Sequence, residues 1–126
     1  MPSPDDLPSA PSPSGPAPKR PGAYARLRDL APEVVAAYES LSRHAGLAGP
    51  LDAATLAVVK VALSVGRGNS RGVHAHTRKA LEAGAAPAAL RQVALMAVPT
   101  LGLHAALDAL RWVEEVIEER REPPRP

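Results

Sequence analysis

Residues 52–84 read DAATLAVVKVALSVGRGNSRGVHAHTRKALEAG, and this stretch decides the fold class. Its first half, AATLAVVKVALSVG, is apolar almost all round and is interrupted chiefly by Lys60. A run of that length exceeds an ordinary strand, and its alanines suit a helix better than a pleated surface. Asp52 stands where its carboxylate can accept the orphan amides of a first helical turn. A helix that is apolar on every side must be covered on every side, so this one is expected to be the most buried. Asn69 or Ser70 then caps a second helix, and Gly84 supplies the left-handed residue that ends it.

The same period extends in both directions. Upstream, a short helix is expected over YARLRDLA, residues 24–31. PEVVAAYESLSRHAG follows, with Pro32 in the first turn, Val34, Val35, Tyr38 and Leu41 at helical spacing, and Gly46 closing it. Downstream, Pro87 opens APAALRQVALMAV, which Pro99 ends or kinks. The final helix, from about Leu103 to Arg120, puts Leu103, Leu107, Leu110, Val113 and Ile117 on one face. His104, Asp108, Arg111 and Glu115 lie on the other. Hairpin signals and alternating runs are absent. The expected fold is all-α, about five to six helices over residues 23–120. A Pro-, Ser- and Ala-rich tail at 1–22 has too little apolar surface to offset ordering entropy, and residues 121–126 are expected to fray.

Composition narrows the possible functions. The chain has 126 residues, 45% of them hydrophobic, which suffices for one domain. Aromatics make up only 2%, so alanine, leucine and valine must fill the core. Small side chains bury little area each, and self-association is the expected remedy. The net charge of +2 is scattered, and the pI of 9.4 comes without a basic, aromatic-laced stripe, which argues against nucleic acid. No stretch is long and apolar enough to span a bilayer, and no secretory pattern opens the chain, so a cytoplasmic location is expected. The absence of cysteine excludes disulfides, zinc–thiolate sites and thiol redox chemistry by this chain alone.

Four histidines remain as candidate chemical groups. His74 and His76 are two apart and therefore point roughly 200° away from each other on a helix. They cannot chelate one metal as a pair, and no metal or cofactor is expected. His76 falls with Val73, Thr77 and Ala80 on the inward face, whereas His74 falls with Arg71, Arg78 and Glu82 on the outward one. An inward imidazole either finds a hydrogen-bond partner or loses its charge. It can equally be a structural histidine bonded to a carbonyl. Arg78 can pair with Glu82 or capture a substrate carboxylate.

HTRKALEAGA, with the helices before and after it, resembles the carboxymuconolactone decarboxylase family over about residues 30–118. That family includes the alkylhydroperoxidase D-like proteins. The most specific element is His-x-Arg-x-Ala-Leu-x-x-Gly, met by His76, Arg78, Ala80, Leu81 and Gly84. The resemblance implies an all-helical fold that assembles into dimers, trimers or hexamers. Its peroxidase branch implies Cys-x-x-Cys-x-x-x-His with an upstream glutamate, and those positions here are Asn69, Gly72 and Ala57. Thiol peroxidase activity is therefore not expected. Its decarboxylase branch implies a cofactor-free lyase acting on a small carboxylated lactone or related acid. There His76 protonates carbon and Arg78 holds the acid, with Arg71, Arg111 and His104 as further candidates for holding it. His76 and Arg78 cannot face one pocket of a single subunit, and a pocket between subunits would relieve this. The sequence departs from that branch at Gly102-Leu103-His104, where Gly-x-Pro is usual. It also departs at Thr100-Leu101, where an aromatic is usual, and at Arg91-Gln92, where an acidic residue is usual. Two alternatives to the lyase follow: a helical oligomer that binds or scaffolds without catalysis, and a redox partner that borrows thiols from another protein.

Overall fold

A computed structural model of the chain describes residues 22–121, and these form six helices. They are α1 (Ala23–Leu30), α2 (Pro32–Leu47), α3 (Ala53–Arg67), α4 (Ser70–Glu82), α5 (Pro87–Leu101) and α6 (Leu103–Arg121). No strand occurs among the described residues, and the fold is all-α. The Pro-rich tail and the last five residues lie outside the described residues.

The caps explain the helix boundaries. The Asp52 carboxylate accepts the Thr55 N–H at 2.8 Å, and the Asn69 side-chain oxygen accepts the Gly72 N–H at 3.2 Å. Gly68 leaves α3 at φ +70°, and Gly84 follows α4 at φ +96°, both in the region that favours glycine. After α4 the Ala85 N–H reaches back to the Ala80 carbonyl at 2.9 Å and satisfies one of its terminal acceptors. Two expected stops fall differently. Gly46 lies inside α2, which runs on to Leu47, and Pro99 lies inside α5, which continues to Leu101. A proline this close to a C-terminus removes only one ladder bond, so the helix survives it.

The chain divides into two compact units between Arg43 and His44. In the first, the Tyr24 hydroxyl donates to Glu39 at 2.7 Å, and the Arg28 guanidinium sits 5.0 Å from the Tyr24 ring centre. Of the apolar positions expected to recur on α2, Val35 is buried, while Val34, Tyr38 and Leu41 are exposed.

In the second unit α3 packs on α4 and α5, and α6 packs on α5 and α4. Its core joins Val61, Val65, Val73 and Leu90 to Val113 and Ile117, with alanines at 80, 94, 97, 106 and 109 between them. Two expectations are corrected here. Leu103 and Leu107 are not part of the α6 core stripe: they are 57% and 53% exposed, and Ala106 and Ala109 are buried instead. The buried stripe of α6 runs through Ala106, Ala109, Val113, Val116 and Ile117, and the two leucines lie off it. Nor is α3 the most buried helix. It contributes only Val61 and Val65 to the core, and Leu63 is 68% exposed, because neighbours cover one stripe of it and not its circumference.

Candidate functional site

Helices α3 and α4 form a hairpin, joined through Gly68 and Asn69. The seam between them is tightest at Gly72, where an added Cβ would lie 2.9 Å from the Ser64 hydroxyl and 3.0 Å from the Asn69 side-chain nitrogen. With Ser64 level with Gly72, each further turn away from the hairpin bend brings the next pair level. Lys60 then stands across from His76, and Ala57 across from the Lys79–Ala80 step.

His76 is half-buried on this seam. Its Nδ1 is buried and has no hydrogen-bond partner among the described residues. Burial pushes the proton affinity of the ring below the ordinary histidine value, and the charges of Lys79 and then Lys60 push it further the same way. The next residue, Thr77, is 0% exposed, and its hydroxyl also lacks a partner. Buried polar atoms are nearly always paired, and an unpaired one costs about 1–3 kcal/mol. Among the described residues these two are the buried side-chain atoms that lack a partner.

The opposite flank of α4 is fully engaged. His74 Nε2 lies 2.7 Å from a Glu115 oxygen, and Arg78 Nε lies 3.1 Å from Glu119. Both residues therefore reach α6, although the Arg78 side chain stays 47% exposed, and Arg78 pairs with Glu119 across 41 positions instead of with Glu82. Arg91 grips Glu114 with two bonds, of 2.5 and 3.2 Å, and holds that carboxyl below its usual range. The concavity beside them is lined by Arg111, Glu114, Glu115, Glu118 and Glu119.

The other anticipated site residues are dispersed. Arg111 bonds Asp108 on its own helix at 3.4 Å. Arg71 is exposed near the start of α4, and His104 is exposed in the first turn of α6. Ala57 is half-buried against the core, Gly72 marks the seam, and Asn69 is the α4 cap. The concavity that includes Arg111 is not lined by His76. Sequence reasoning did not single out Lys60, Ser64 or Lys79 as site residues. One signal was present: Lys60 and Ser64, four apart, are the polar breaks in an otherwise apolar helix, which marks the stripe that faces a partner helix.

A family model for the carboxymuconolactone decarboxylase family matches residues 32–115. The chain belongs to that family. No curated protein and no solved structure matches it. In this carboxymuconolactone decarboxylase family member the chain contains no cysteine. What occupies the α3–α4 seam instead is a cap, a close approach, an imidazole and two ammonium groups. Among the described residues no helix is long and apolar enough to cross a membrane.

Proposed function

We propose that this family member is a cytoplasmic, cofactor-free lyase that acts on a small carboxylated lactone or related acid, with His76 as the proton donor. The observation that carries the reading is the orphaned Nδ1 of a half-buried imidazole on the α3–α4 seam. In the reaction the carbon–carbon bond to the carboxylate breaks and carbon dioxide leaves. The electron pair moves onto the conjugated lactone carbonyl, the His76 imidazolium gives its proton to carbon, and water restores that proton. With no thiol in the chain, peroxidase chemistry is not part of the proposal.

Arg71, Arg78, Arg111 and His104 enter this reaction across a subunit boundary, since Arg78 and Arg111 are paired with Glu119 and Asp108 in their own chain. Self-association belongs to the same proposal, as a dimer, trimer or hexamer. It is supported by the apolar side chains left exposed on α3 and α5, Leu63, Leu95 and Met96 among them. The test is carbon dioxide release from an unsaturated carboxylated γ-lactone. Activity in the wild type and its loss in His76→Gln, at equal helicity, is the expected result. Because the donor must be protonated, kcat/KM should fall as pH rises through the depressed His76 value.

A second reading has its own support. Arg78 and Arg111 are committed to Glu119 and Asp108, which is what a non-catalytic helical scaffold would do with them. Such a scaffold shows ligand-induced thermal stabilisation and no turnover.

A further inference from the structure

We infer that the α3–α5 face of this domain packs on the same face of a second copy about a two-fold axis. This deepens the self-association of the proposed function by assigning its surface, and it stands or falls apart from the lyase chemistry. The starting point is the apolar circumference of α3. One chain buries only Val61 and Val65 of it. A second stripe, Val59, Ala62, Leu63 and Gly66, is exposed and keeps the i, i+3, i+4, i+7 spacing of a helix that meets a partner. On α5 the exposed residues Gln92, Leu95, Met96 and Pro99 repeat that spacing.

Charge is absent from both stripes. Lys60 falls outside the α3 spacing, and Arg67 lies beyond its end. The one charge of α5, Arg91, is bonded to Glu114 of α6. Between the two helices run two adjoining concavities, of about 200 and about 350 Å³, which share Ala62, Val93 and Met96 and have no charged residue in their lining. Polar groups here do not oppose burial. The Thr100 hydroxyl already donates to the Met96 carbonyl at 2.8 Å, and the Gln92 amide can both donate and accept across an interface.

A second copy is the occupant that this face fits. A charged partner finds no counter-charge on it. Residues 1–21 carry Met1 and Leu7 as their only large apolar side chains, too few to fill either stripe. The face itself is self-complementary: Leu63 stands out beside a groove floored by alanine and glycine, so each copy offers a knob and receives one. Area agrees. Each helix has 15 residues, so the pair presents about 22 by 20 Å in plan, and two such faces bury about 900 Å² before corrugation, close to the ~1,000 Å² of a specific interface. Arg71, Arg78, Arg111 and His104 sit on α4 and α6, so an assembly that also brings them to His76 adds a second contact and contains an even number of chains.

The test is sedimentation of the full chain at micromolar concentration. The wild type should have the mass of two chains or an even multiple. Leu63→Lys and Met96→Glu place a charge on the exposed stripes and should each weaken this pairing by more than about 100-fold at unchanged helicity. Mixed together they should restore a heterodimer, because the lysine of one copy then meets the glutamate of the other. Glu118→Gln, on the charged side of α6, should leave the mass unchanged. A wild-type monomer overturns the proposal and leaves the groove to a small apolar ligand or another protein. An odd-numbered assembly, a mass indifferent to both variants, or a mixture that stays monomeric overturns it too. Paired chains that release no carbon dioxide sink the lyase and leave this interface standing; release by a stable monomer does the reverse.

Discussion

The two flanks of α4 use the same residue types for opposite ends. On one, His74 and Arg78 each meet a glutamate of α6. On the other, His76 has a buried nitrogen with no partner, next to cations that oppose its protonation. A helix used only for packing would gain nothing from the second arrangement, because each unpaired polar atom there lowers stability. On the proposed reading, the contrast separates what holds this domain together from what it does.

The largest effect that could break the contrast is catalytic. His76→Gln should lower carbon dioxide release by about 10²–10⁴-fold, the range for loss of one positioned acid, with circular dichroism unchanged. Equal loss of helicity would move His76 to the structural side. Next comes Thr77→Val, which replaces an unpartnered buried hydroxyl by an isosteric methyl. It should raise stability in chemical denaturation by about 1 kcal/mol. A loss of stability would mean that the hydroxyl is satisfied after all.

Acidification sharpens the same comparison. The folded chain holds the His76 pKa below 6.5, near which the unfolded chain titrates. Below that pH the unfolded state binds more protons, so the stability His76 contributes is present above 6.5. It is lost as pH falls through the folded value. The decline in Tm on acidification should therefore be shallower in His76→Gln than in the wild type. The smallest effect belongs to the paired flank. Glu119→Gln should change stability by no more than about 0.5 kcal/mol, because the pair with Arg78 is half exposed and solvent screens it. A cost several times larger would show that this flank, too, is under tension.

Local features of the fold were legible in the sequence, and long-range ones were not. Asp52, Asn69, Gly84 and Pro87 fix helix ends through contacts within a few residues, and a reader of the chain can place them. Leu103 and Leu107 misled because apolarity alone does not say how close two helices come. At this end of α6 the buried positions are taken by Ala106 and Ala109, one residue round the helix from the predicted stripe. The pairing of Arg78 with Glu119 spans 41 positions, so no helical period could announce it. The inward placement of His76 beside Val73 and Thr77 followed from spacing. Its cationic neighbours did not, since Lys60 comes from the other arm of the hairpin and its level depends on the close approach at Gly72.

That approach has a consequence for assembly. Lys60 and His76 belong to consecutive helices joined by a short bend, so they meet through a small loop closure, which costs little entropy and happens early. The α3–α4 seam can be in place before α6 returns to complete the bundle. Damage to distant parts of the fold would then lower the number of intact molecules while leaving the seam of each intact one undistorted.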